Sequence, residues 1–528
     1  MPVSKCLAML AKQRPPLHKR INNMNVDSTQ KVSLIEGLAN TDVIHMRFPH
    51  LTSNPPRKTF AKSMALLGSG AIADTYNWDT VYAIKFPDAN IGLAKEGATP
   101  KDFSTSADGA TASGTFNPWQ LSGGAGILLH MTIPIDKGNT VYQNTTYPMD
   151  GAVATIELEL KALAGVSGNN GTPNDVIPDA TKPVSVTNLT NVPGDPSFIV
   201  KAVMSGLIEK WLTDNLVDFK HAFSTVTLNE TADKDQFQWM KPTGLGWAVS
   251  AQGSLADNVF GMLCMTEKRA VPNSMQISPN AIPSGQRAGF LIAQDRVLEK
   301  LVKPGVNSLF EGSVVGDFEV VNDGTMLRNV NTVYMDPVKL GAGTYKPKLE
   351  PGHFQLTLEA NEIKMELIKA EVDFSPGIKI MMDYTAFSSM ELALNSKGEQ
   401  IIVYKEASAP IIDHNVEVAA WVTWATVAAS VLAAVATLGF GSWAKTAIER
   451  VVIRVIAVVI VLIVGELIAN IGTIITAVAE GEKDKIPPVT LMVASATDPI
   501  VWPDSKNFLI TSAGLNVSMQ FGGNPQFS

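Results

Sequence analysis

Cysteine is nearly absent: Cys6 and Cys264 are the only two in 528 residues. That excludes a disulfide framework and a thiolate metal site, and it fits synthesis in a reducing compartment. Charge is also scarce, at 17% Asp, Glu, Lys and Arg, and the net charge of −8 lacks the basic footprint that nucleic-acid binding needs. None of the seven histidines pairs with another at the spacing of a helical metal site, and no HExxH occurs. P-loop, GxGxxG and GxSxG motifs are missing too. The nearest glycine-rich run, Ser122 to Gly126, lacks the lysine and the full spacing. These absences point away from an enzyme and from a metal or cofactor, apart from a bound lipid or fatty acid. A classical signal peptide is missing as well. The apolar run from Cys6 to Ala11 is short, and Lys12 and Arg14 interrupt it. Synthesis in the cytoplasm is the expectation, with release and extracellular action left open.

What the chain has in quantity is apolar residues, at 45%, with a mean hydropathy of +0.11. From Thr155 to Lys161 the pattern alternates strictly, so Ile156, Leu158 and Leu160 share one face of a half-buried strand. The segment 166–196 is rich in Gly, Asn, Pro and Asp and reads as a long loop, with a strand near Val184–Val186. Phe198 to Phe223 changes period. Ile199, Val203, Leu207, Trp211 and Phe219 recur near helical spacing, predicting one amphipathic helix roughly 39 Å long. Alternation returns at Phe354, Leu356 and Leu358 and again at Ile363, Met365 and Leu367, and a further strand starts at Ile378 after the Pro376-Gly377 turn. Long strands with one oily face need a helix or lipid against that face.

Near the C-terminus, 27 residues from Val418 to Ala444 carry no formal charge, and only Glu466 interrupts the uncharged stretch from Val455 to Ala479. Gly439-Phe440-Gly441 supplies a turn, so a helical hairpin over 417–480 is expected, with Trp421, Trp424, Phe440, Trp443 and Glu466 as its notable residues. Either arm is long enough for a bilayer core of about 30 Å. The carboxylate of Glu466 opposes insertion by about 2.5–3.5 kcal/mol. Two readings are open: a lid packed on protein or lipid, and a membrane-inserting pore former.

Several blocks resemble the clostridial forty-seven-kilodalton botulinum-cluster protein and OrfX family. They are Thr75 to Ile84, Gly114 to Trp119 and Met131 to Ile135; Trp211, Leu212, Asn215, Leu216, Phe219, His221, Phe223 and Val226; and Trp239 to Thr243 with Phe260 to Thr266. Asn280 to Pro283 with Arg287 to Ile292 come next, and then Val501 to Pro503, Phe508 and the Phe521–Phe527 tail. Their order holds from about residue 70 to the end. The resemblance implies a tubular lipid-binding (TULIP) fold and a toxin-associated role, in some relatives insecticidal.

The expected fold is therefore α+β, with elongated, strongly curved antiparallel sheets wrapped around long helices and the hydrophobic hairpin inserted. The expected organisation is an N-terminal extension at 1–70, partly basic, a lobe at 71–300, and a second lobe at 301–528 that contains the hairpin. The expected function is a lipid-binding accessory or effector protein of a bacterial toxin cluster, working by burial of acyl chains in an apolar groove. Lipids, a membrane surface and other proteins of the cluster are the expected partners, and nucleic acid is not. Leu207, Trp211, Leu356, Leu358, Ile363 and Met365 are the candidate lipid-contacting residues. An apolar alternation looks the same whether lipid or protein covers it, and for any single one of these six a place in the core is the commoner outcome.

Overall fold

The computed structural model describes residues 43–48, 72–96, 99–162, 174–216, 219, 223–226, 238–340, 343–359, 361–419, 453, 456–457, 460, 471–487, 500–501 and 505–527. Strand pairing is antiparallel throughout the named strands and builds two large sheets. The first has sixteen strands. Its central run passes through Leu128–Tyr142, Gln120–Gly126, Pro242–Ser250, Val259–Thr266, Thr80–Lys85, Ala288–Ile292, Ser518–Phe527 and Ser505–Asn516. The second has nine strands and is centred on Phe354–Glu359, Glu362–Ser375, Ile378–Leu394 and Gln400–Ala419.

The alternation seen in the sequence sets the faces. In Val153–Ala162, Ala154, Ile156, Leu158 and Leu160 are buried, and they meet the inward side of Leu128–Tyr142 directly: Leu158 opposes Leu129 and Ile156 opposes Met131. Such facing apolar pairs are the unit of sheet stabilisation, at roughly 0.2–1 kcal/mol each beyond burial. The outward residues pair by charge instead, with Lys161 Nζ 3.1 Å from Asp179. The region 166–196, expected as a loop with one strand, contains two strands, Asn174–Pro178 and Ser185–Thr190, the second close to the expected position.

Three helices pack against these sheets at positions that bear on function: α1 at Phe86–Glu96, α2 at Phe198–Asn215 and α3 at Ile471–Glu480. Ser197 caps α2 by accepting from the Val200 N–H, and Val200, Met204, Leu207, Ile208, Trp211 and Leu212 form its buried stripe. The expected helix to Phe223 is corrected to 18 residues ending at Asn215, about 27 Å. Asn215 turns its amide back to the Trp211 carbonyl at 2.7 Å, a local bond that competes with helix continuation. Phe219 N–H then bonds Leu216 O, and Phe223 N–H bonds Val176 O, leading the chain into the strand Ser224–Val226.

The tubular expectation is likewise corrected. Among the described residues the fold is mixed α+β with short helices and flat, uncurled sheets, which overturns the expectation of strongly curved sheets wrapped around long helices. Period-two alternation reports which side of a strand is covered and carries no information about curvature, which depends on bulges and long-range packing. Of the expected hairpin, residues 417–419 finish the strand Gln400–Ala419 and 471–480 form α3. Trp421, Trp424, Phe440, Trp443 and Glu466 lie outside the described residues.

Candidate functional site

The six candidate lipid-contacting residues are all in the interior, in two different places. Leu207 and Trp211 are one turn apart on the buried stripe of α2, which packs on the first sheet. The Trp211 ring stands 5.3 Å from Phe116 and 6.4 Å from Phe103, centroid to centroid. Leu356, Leu358, Ile363 and Met365 belong to the second sheet, and there the structure does bring residues together. Leu356 opposes Met365 and Leu358 opposes Ile363 across one ladder. All six belong to a single connected apolar core.

That core has a distinctive composition in the second sheet. Met365, Met382 and Met390 are buried in it alongside Ile380, Tyr384, Ile401 and Ile402. Methionine is unbranched and adapts to irregular neighbours, so this face repacks more readily than one of Val and Ile. Helical residues from the apolar C-terminal segment, Ile456, Ile460, Ile474 and Val478, are part of the same core.

A second feature escaped the sequence reading. The Asp79 carboxylate, 1% exposed, accepts from the Thr266 N–H and the Thr266 hydroxyl at 2.7 Å each and is paired with Arg269. Arg269 also reaches Asp295 at 2.9 Å. Arg296, at the start of the helical segment 294–306, pairs with Glu267, as does Lys300 at 2.6 Å. Burial pushes the Glu267 carboxyl up, but the hydrogen bonds from Lys300 and Arg296 outweigh it and hold the group below the usual range. Three carboxylates face three cations, so the cluster is balanced and serves as a clamp where the chain leaves the first sheet. Its members are scattered from 79 to 300, and no local pattern marks them.

Elsewhere Asp88 on α1 is almost fully buried. Burial raises its carboxyl above the usual range, and Arg287, 3.2 Å away, works against that. Burial also pushes the Cys264 thiol far up, which makes it an inert core residue. Among the described residues no group of His, Cys, Asp and Glu could hold a metal ion, and no helix is long and apolar enough to cross a membrane.

The family described as OrfX-like, Protein OrfX2/OrfX3/P47, matches residues 75–523. The chain belongs to the OrfX/P47 family. It is 28% identical over 501 residues to Protein OrfX3 of Paraclostridium bifermentans, covering 85% of this chain and 98% of that one. Protein OrfX3 of Clostridium botulinum (strain Kyoto / Type A2) is 26% identical over 500 residues, with 86% and 98% covered. Among solved structures, P47 from Clostridium botulinum A2 superposes with a TM-score of 0.57 at 18% identity, covering 86% of this chain and 98% of that one. P47 of Clostridium botulinum E1 gives the same TM-score and identity, with 85% and 100% covered. At that identity the likeness to the two P47 structures speaks for the fold alone. As an OrfX/P47 member, the chain is an accessory protein of the toxin-cluster type.

Proposed function

We propose that this OrfX/P47 protein serves its toxin complex by binding lipid, sheltering acyl chains against the inner face of the nine-stranded sheet. The observation that carries this reading is the apolar, methionine-rich side of that sheet. Leu356, Leu358, Ile363 and Met365 continue into Ile380, Met382 and Met390 across adjoining strands without a charged residue among them. Some of the helical residues in this core, Ile456, Ile460, Ile474 and Val478, come from the C-terminal stretch 455–479, where Glu466 is the one formal charge, a segment able to give way to an acyl chain at little polar cost. At about 0.8 kcal/mol per buried CH₂, a sixteen-carbon chain offers on the order of 12 kcal/mol gross, before ordering costs. Other proteins of the same cluster are the natural recipients of a lipid-bearing accessory.

Mass spectrometry of organic extracts from the purified folded protein tests this directly. Lipid at a stoichiometry near one per chain, with uptake of a fluorescent fatty acid, is the expected result. Protein that is empty after purification and takes up no fatty acid would refute it.

The 27 uncharged residues from Val418 to Ala444 favour a second reading, membrane insertion of the 417–480 segment. Dye leakage from liposomes that increases on acidification, and does so less in Glu466→Gln, would promote that reading over the first.

A further inference from the structure

The apolar helix α3 is tied to the second sheet through the turn that follows it. Ile474, Ala477 and Val478 are buried, at the spacing of one helical face, while Gly472, Thr473, Thr476, Ala479 and Glu480 are exposed. α3 is described over Ile471–Glu480 and has no basic residue in its last turn. The Glu480 carboxylate stands at the end of the helix where the macrodipole disfavours negative charge. The seating of α3 rests on what covers its apolar face, Ile474, Ala477 and Val478.

Its C-terminal end is closed by a complete two-bond cap. Gly481, at φ +68°, donates to Val478 O at 3.3 Å, and Glu482 N–H donates to Ala477 O at 2.9 Å. The chain then makes a 3₁₀ turn at Lys483–Lys485, and Ile486 returns to the core. In that turn Asp484 Oδ1 accepts the Ser396 N–H at 2.8 Å. Ser396 belongs to the tight turn between the strands Ile378–Leu394 and Gln400–Ala419, 88 residues earlier. Asn395 shapes this turn in advance, since its side-chain oxygen accepts from Lys397 N–H at 3.0 Å and Glu399 N–H at 2.9 Å. Hydrogen bonds from Ser396, and then the charge of Lys397, hold the Asp484 carboxyl below the usual range.

We infer that the Ser396–Asp484 contact is a latch that keeps α3 seated in the apolar core, and that its opening presents the apolar face of α3 to a lipid surface. The lipid half of this inference rests on the function proposed above; the latch half does not. A lipid–water interface is the one environment that replaces both things α3 loses on release. It covers Ile474, Ala477 and Val478, and it leaves Thr473, Thr476 and Glu480 in water. The uncharged run that precedes Glu480, from Leu467 to Ala479, offers nothing that such a surface would repel.

The test uses the full chain, as wild type, Asp484→Ala and Asp484→Asn. The asparagine retains an acceptor for the Ser396 N–H and controls for misfolding. Hydrogen exchange of the peptide covering 471–487 reads the latch; flotation with phosphatidylcholine–phosphatidylglycerol vesicles reads the destination. Asp484→Ala should speed exchange about tenfold, the loss expected of one charge-assisted hydrogen bond, and raise the vesicle-bound fraction several-fold. Asp484→Asn should fall between it and wild type in both. Unchanged exchange in Asp484→Ala overturns the latch, whatever the vesicles do. Faster exchange without added vesicle binding overturns the lipid destination and leaves the latch standing.

Discussion

Arg296 lays its guanidinium over the indole of Trp239, 5.4 Å from the ring centroid, while the same cation pairs with Glu267. Arg296 is 5% exposed, so its charge is kept in the interior by these neighbours, by the Thr266 hydroxyl at 3.3 Å and by Asp79, 3.8 Å from its Nε. Removing one partner of a buried ion cluster leaves the others uncompensated. Arg296→Met should cost about 3 kcal/mol in urea unfolding. Arg296→Lys should recover little of it, because an ammonium lacks the planar fork that serves Glu267 and the indole together. A loss below about 1 kcal/mol for Arg296→Met would contradict the clamp.

Gly289 sits between Ala83 and Gly522 in the middle of the first sheet. A Cβ there would meet the carbonyl oxygen of Ala281 at 2.2 Å, and backbone cannot swing aside as a side-chain tip can. Gly289→Ala should destabilise by about 1–3 kcal/mol or more, visible as a fall in Tm. Gly206→Ala, where nothing lies within 4 Å, should raise Tm or leave it unchanged.

Leu356→Ala separates protein packing from lipid contact. Leu356 is fully buried opposite Met365, and its truncation should cost about 2–5 kcal/mol of stability. On the proposed function, the lipid recovered per folded chain should fall as well. Stability lost with lipid content unchanged would mark Leu356 as packing alone and move the lipid contact elsewhere.

Glu371 provides a pH-dependent test. Burial raises its carboxyl, but hydrogen bonds from Lys379 at 2.6 Å and contact with Lys348 at 3.2 Å outweigh it, so the folded value lies below the ordinary glutamate range. A carboxyl depressed by folding contributes stability that is complete above its unfolded value, about 4.3, and is lost as pH falls through the folded value. The stability difference between wild type and Glu371→Gln should therefore be flat above about pH 5 and shrink below about pH 4. A difference that grows on acidification would reverse this assignment.

The strand faces were legible from particular residues. Ile156, Leu158 and Leu160, and likewise Leu356, Leu358, Ile363 and Met365, alternate in the sequence and are buried in the structure. So was the start of α2, where Ser197 precedes an apolar stripe. Its end was not. Phe219 continues the helical spacing in the sequence, yet it is reached by a turn and packs its ring 5.0 Å from Trp119. The spacing of apolar residues records that both are buried, and the Asn215 side chain decides where the helix stops. The balanced cluster around Asp79 was invisible, because its bonds span up to 190 residues.

The sequence by itself determined which side of each strand is apolar, that the metal, phosphate and nucleophile motifs are missing, and the family resemblance, because each is written in local composition and spacing. Tertiary structure alone decided the partners. Val43–Phe48 pairs with the far end of Gln400–Ala419, and the C-terminal strand Ser518–Phe527 pairs with Ala288–Ile292, with Phe290 opposite Phe521. Backbone hydrogen bonds are the same for every residue, so a strand's pattern names its buried face and leaves its neighbour open. Only the simultaneous packing of both sheets against their shared core selects one set of neighbours. The same packing set the flat sheets and the short helices that the alternating pattern had left open.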